Sequence, residues 1–229
     1  MGTTDALLAA ATPISGLSQI AARAAFAGAL VSLLALLSLH LLKPELEPSW
    51  HMVSEYAVGT HGWVMTLCFA GLVVGCVGLV VALLPQQPSI LAWIGIALLL
   101  VAAVGLSMGA LFPTDPITVA PEDASPTARL HALAVLIGNP PFLLAALLLL
   151  IAIWGNGVWD TVRLPLLILT VLIWLSLAAM IAIAAILLPR NGGFGPAVMI
   201  GWPNRMLMLS YAGWLMAAAW PLAWGRVAS

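Results

Sequence analysis

Residues 62–84 read GWVMTLCFAGLVVGCVGLVVALL, a run without a single charged side chain or proline. Its length matches the ~20 apolar residues that carry a helix across the bilayer core. Lipid offers no partner for an open backbone N–H or C=O, so a run of this kind must close its hydrogen bonds within a helix. Cys68, Gly71, Gly75, Gly78 and Ala82 recur every three or four positions. They form a stripe of small residues on which a second helix backbone can approach closely.

Five further runs resemble it. Together the six spans lie at about 20–42, 62–84, 90–112, 129–153, 163–188 and 204–224. Between them stand KPELEPSW, PQQPS, FPTDP with APEDASP, GNGVWD and PRNGGFGP, each rich in proline, glycine or charge. The bulk composition agrees: 63% of residues are hydrophobic and 7% charged, against about 25% charged in an ordinary soluble domain. Mean hydropathy is +1.15. The expected fold is all-α: a polytopic membrane protein, a six-transmembrane-helix bundle forming a single membrane domain over residues 1–229. With no basic patch, nucleic acid is excluded as a partner.

Six spans place both termini on one side. The first, third and fifth loops are long and the other two short. The long-loop face holds six of the eight acids (Glu45, Glu47, Glu55, Asp115, Glu122, Asp123) and the basic residues Lys43, Arg129, Arg190 and Arg205. Arg23, Arg163 and Arg226 fall on the other face. Four cations against three do not orient the chain by the positive-inside rule. Tryptophans mark the boundaries, and the two mid-span ones, Trp174 and Trp214, read as packing residues. Cys68 and Cys76 are separated by ~12 Å of helical rise, too far for a disulfide. GNPP, Gly138 to Pro141, is expected to interrupt and kink the fourth span, leaving Asn139 in need of a partner inside the bilayer.

The polar residues are not scattered. Directly before the opening stretch lies HMVSEYAVGTHGW, His51 to Trp63. All four histidines, His40, His51, His61 and His131, map to the long-loop face, as do Asp115 and Arg205. Buried polar groups must be paired, and these residues are expected to pair with one another: Glu55 or Ser54 with Asp115, His131 and Arg205. Asp115 in PTDP also suits a turn or helix cap, and Arg205 a headgroup anchor. Three chemistries could use the set. Ser54, Glu55, Asp115 and His131 could serve acid–base or nucleophilic work. His51, His61 and His131 could hold a metal ion with a carboxylate. Arg205 with backbone donors could hold a lipid phosphate. No diagnostic spacing selects among them, nor for or against a cofactor such as haem.

SEYAVGTHGWVMT, then LFPTDP, then a histidine opening the next span and a Gly/Arg start to the last helix, resemble an uncharacterised prokaryotic membrane family, domain of unknown function 998. The resemblance covers about residues 20 to 224 and implies six helices. It singles out Ser54, Glu55, Tyr56, Gly59, Gly62, Trp63, Pro113, Asp115, His131 and Arg205 as positions of interest. Tyr56, Gly59, Trp63 and Arg205 are thereby expected on the ligand-binding side. A more distant similarity in topology and polar first loop points to six-span eukaryotic families involved in lipid-anchor remodelling.

Two functions remain open at this point. One is a monomer of the cell (inner) membrane, termini cytoplasmic, that binds or processes a lipid headgroup on the extracytoplasmic face. The other is a non-enzymatic accessory subunit of a larger membrane complex. Membrane lipids are the expected partners in the first, other membrane subunits in the second.

Overall fold

The computed structural model describes residues 14–86 and 88–225; Arg226 lies outside them. Six helices are long and apolar enough to cross a membrane: α1 (Gly16–Leu42), α2 (Gly62–Leu83), α3 (Ile90–Leu111), α4 (Pro126–Ile153), α5 (Arg163–Asn191) and α6 (Gly201–Trp224). No strand occurs among the described residues. By helix length and hydropathy this is a multi-pass membrane protein.

Two helices, α1 and α4, start earlier than their apolar runs because polar caps extend them into the loops. Ser15 accepts from Ser18 N–H ahead of α1. Ser125 accepts from Ala128 N–H ahead of α4, with Pro126 in the first turn. Such caps satisfy donors that the helix itself leaves open.

The bundle is assembled from two close pairs. In the first, the small-residue stripe of α2 lies on α1: a Cβ added at Gly71 would stand 2.5 Å from Gly28 O, and one at Gly78 2.8 Å from Ala21 O. Backbones in direct contact supply the van der Waals attraction that must replace the hydrophobic effect between helices in lipid. In the second pair, α3 meets α4 where Gly105 abuts Gly138. The helix is not broken there: α4 runs continuously from Pro126 to Ile153 with Pro140 and Pro141 inside it. Gly138 serves the helix contact, and Asn139 Oδ1 finds its partner in Tyr211 O–H at 3.3 Å.

Helix α6 occupies the centre, packed against α1, α2 and α5. Of its most apolar window 67% is buried, against 11% for α5. The four buried residues of α5, Leu166, Thr170, Ile173 and Ser176, all lie in its first half. There Trp214 donates its indole N–H to Thr170 Oγ1 at 3.0 Å. From Leu177 to Asn191 no residue of α5 is buried, so the half of α5 nearer the long-loop face packs loosely on the bundle. Trp214 is a packing residue as expected, but Trp174 is 39% exposed on the outside of α5. Cys68 and Cys76 are both free; Cys68 Sγ lies 3.3 Å from Ser32 Oγ across the α1–α2 contact.

Candidate functional site

The long-loop face is built on a buried guanidinium. Arg205, one turn into α6, is 3% exposed. Its Nε donates to His40 Nε2 at 2.9 Å. Nη1 donates to Pro48 O at 2.9 Å and His51 O at 2.7 Å, with Gly201 O at 3.1 Å. Nη2 donates to Tyr56 Oη at 2.9 Å. The five N–H groups of arginine form a rigid planar fork, and here that fork gathers loop 1 and the end of α1 onto α6. No carboxylate is among its hydrogen-bond partners. His40 Nδ1 lies 2.8 Å from Leu36 O, so its proton sits there and Nε2 is left as the acceptor. Gly201 lies so close to Pro48 O that no side chain fits, and its N–H donates to Ser49 O at 2.9 Å.

Loop 1 is fixed from beneath as well. Residues Val53–Ala57 form a short 3-10 turn. Glu55, 3% exposed, accepts from Met52 N–H at 2.8 Å through Oε1. Through Oε2 it accepts from Ile117 N–H and lies 3.0 Å from His51 Nδ1. One carboxylate thus ties loop 1 to loop 3. Lys43, also buried, donates to Tyr56 O and Val58 O. The chain then turns at Gly59, whose φ of 74° suits glycine, and at His61, which takes the left-handed conformation at φ 62°.

Asp115 holds loop 3. Its two oxygens accept from Ser125 N–H at 2.7 Å and Ser125 O–H at 2.8 Å, fixing the residue that caps α4. Asp115 therefore braces the serine that caps α4 rather than capping a helix itself.

The expected pairing of Glu55 or Ser54 with Asp115, His131 and Arg205 does not occur. Each carboxylate is occupied by backbone N–H and nearby hydroxyl or imidazole groups, and Arg205 is filled by neutral acceptors. Nor do His51, His61 and His131 converge: His51 is on Glu55, His61 is exposed, and His131 is on Phe112 O. No group of three His, Cys, Asp or Glu suited to a metal ion occurs among the described residues.

What the structure does bring together is a smaller set. A cavity of about 130 Å³ lies beneath the loops, between α2, α3, α4, α6 and the second half of α5. Its wall is largely apolar, with Phe69, Leu106, Met180 and Met208 among the lining residues. Four polar side chains also line it: Ser54, His131, Asn139 and Asn204. His131, 5% exposed, lies with Nδ1 2.8 Å from Phe112 O. A carbonyl can only accept, so Nδ1 carries the proton and Nε2 of the neutral ring is an acceptor. No hydrogen bond to that Nε2 occurs among the described residues, and the atom is not one of the fully buried polar atoms left without a partner. Asn204 Oδ1 accepts from Val53 N–H at 2.8 Å, which orients its amide and leaves Nδ2 facing only Met180 Sδ at 4.0 Å.

Of the residues expected at the site, Ser54 and His131 line this cavity. Glu55, Tyr56 and Arg205 form its roof supports. Gly59 is a turn residue, and Trp63, 68% exposed, faces outward. Asn204 was missed by the sequence reading because its neighbour Arg205 carries the conspicuous charge; the signal was a second polar side chain inside the same apolar helix.

A family described as "Protein of unknown function (DUF998)" matches residues 26–221. The chain belongs to that family. Comparison with curated proteins and with solved structures returned no match. The DUF998 match takes in every residue that lines the cavity, from Met52 to Met208, together with loops 1 and 3.

Proposed function

We propose that this DUF998 protein binds a membrane lipid by its polar end in the cavity beneath loops 1 and 3, on the extracytoplasmic side, with both termini in the cytoplasm. The observation that carries this reading is a largely apolar chamber into which Ser54, His131, Asn139 and Asn204 bring polar groups, with His131 Nε2 free to accept a hydrogen bond. An accessible acceptor in a largely apolar chamber offers a ligand one oriented hydrogen bond, the kind of polar group that fixes orientation in such sites. Access favours a lipid: the chamber is open, and Met180 of the loosely packed half of α5 stands at its edge. Concave, mostly apolar sites with a few convergent polar groups are the usual form of small-molecule sites. Ser54 is the one nucleophile at the chamber, so any processing of the bound lipid would begin with Ser54 and His131.

The test is native mass spectrometry of the protein released gently from its own membranes. A stoichiometric adduct of lipid mass, lost in His131→Ala while the bundle still unfolds cooperatively, is the expected result. A bare chain, or an adduct indifferent to that substitution, would sink the reading.

A second reading, that the chain is an accessory subunit, draws on α5. A helix with 11% of its apolar window buried has a long face available to a neighbouring helix. Photo-crosslinkers at Leu175 and Ile181 that capture another protein in intact membranes would favour it; capture of lipid alone would count against it.

A further inference from the structure

We infer that the lipid bound in this cavity is uncharged and presents a free hydroxyl. The inference rests on the proposed lipid site and specifies its ligand.

The first argument is charge. No Lys, Arg, Asp or Glu lines the chamber. The buried cations nearby are already engaged: Arg205 donates to His40, Tyr56 and three carbonyls, and Lys43 to two. Glu55 and Asp115 are held by loop groups. A phosphate entering the chamber would lose its hydration and meet no counter-charge, a heavy penalty in a low-dielectric interior.

The second argument is donor and acceptor polarity. His131 Nε2 can accept from an N–H or O–H brought to it. Asn204 Nδ2 offers donors, as does Asn139 Nδ2, whose Oδ1 takes the Tyr211 hydroxyl. The matching group must both donate and accept. An alcohol does both through one oxygen, whereas an ester or ketone only accepts and a quaternary ammonium does neither.

Size is the third. At about 130 Å³ the chamber is close to a cavity of ~150 Å³ that holds one benzene ring. A glycerol end or an allylic alcohol fits within that volume. The shared chemistry is therefore a lipid alcohol, available from a diacylglycerol or from a polyprenol.

The experiment uses the full chain in nanodiscs of phosphatidylcholine, with binding read by native mass spectrometry across a titration of each lipid. The probes are dioleoylglycerol, its 3-acetyl ester, dioleoyl phosphatidic acid and a long-chain polyprenol. The first three share both oleoyl chains and differ at one oxygen. Dioleoylglycerol or the polyprenol should bind in a single saturable step, and whichever does so names the source. Loss of one hydrogen bond predicts affinity about tenfold weaker for the acetyl ester, and phosphatidic acid should be weaker still. His131→Phe should remove the preference for the alcohol over its ester. Ala134→Leu, which fills the chamber without touching a polar group, should abolish binding and serves if His131→Phe fails to fold. Phosphatidic acid binding as tightly as the alcohol and lost in Ala134→Leu, or equal binding of the acetyl ester, would overturn this inference while leaving the lipid site standing. Binding of every probe unaffected by Ala134→Leu would overturn both.

Discussion

Arg205 Nε donates to His40 Nε2 at 2.9 Å, a contact between residues 165 positions apart in the chain. It joins the end of the first helix to the start of the last. Because the acceptor is an uncharged ring nitrogen, geometry rather than ion pairing selects arginine here. Arg205→Lys keeps the charge but replaces a planar fork by one nitrogen, which cannot span His40, Tyr56 and the loop carbonyls. At least two buried acceptors would lose their donor, at roughly 1–3 kcal/mol each. The expected outcome is a clear drop in unfolding temperature in detergent, with loop 1 becoming sensitive to protease. Wild-type stability in Arg205→Lys would refute the keystone role.

Glu55 reaches two loops, and its removal should therefore be felt in both. Glu55→Ala leaves the Met52 and Ile117 N–H groups without their acceptor. Amide hydrogen exchange should accelerate around residues 52–57 and, as a separate segment, around 115–119. Faster exchange confined to loop 1 would show that the Ile117 bond contributes nothing.

Two glycines on one stripe should respond differently. At Gly71 an added methyl meets backbone, Gly28 O at 2.5 Å and Ser32 N at 2.9 Å; at Gly75 its nearest contact is the flexible end of Leu215 at 2.8 Å. A side chain can rotate away and a helix backbone cannot. Gly71→Ala should therefore lower the unfolding temperature distinctly more than Gly75→Ala. The reverse order would mean that α1 and α2 do not meet as described.

Asp115 and His131 were expected to act together, and the structure separates them. Asp115→Ala leaves the Ser125 N–H without its acceptor and should loosen the cap of α4, at roughly 1–3 kcal/mol, measurable as faster exchange at Ser125 to Ala128, while leaving lipid capture intact. His131→Ala should do the opposite. Matching losses of lipid in both variants would reunite the two residues in one site.

The fold could be read in advance because lipid permits so few solutions. Residues 62–84 had to be a helix, and the apolar ends at Leu42, Leu111, Ile153 and Trp224 fall within a residue of where the spans stop. The starts were less legible, since Ser15 and Ser125 add polar turns that hydropathy cannot register. The gathering of polar residues on one face was also legible. Their partners were not, because the sequence displays side chains and hides the backbone donors that compete for them. Ser125 lies ten positions from Asp115 and reached it first; Met52 and Ile117 did the same at Glu55. Asn139 and Asn204 mattered less to the eye than the charges beside them, yet uncharged groups are what an apolar chamber tolerates.

The arginine keystone also sets an order of manufacture. The acceptors at Pro48, His51 and Tyr56 leave the ribosome long before Arg205: the separations are 157, 154 and 149 residues. At about 5–20 residues per second, loop 1 waits on the order of ten seconds or more for the donor that closes it. Until the sixth helix inserts, the long-loop face stays unlatched. A chain cut short anywhere before that helix carries an open, protease-accessible loop. Closure of the first loop is thus deferred to the last helix, and a chain that lacks that helix lacks the donor for all three acceptors.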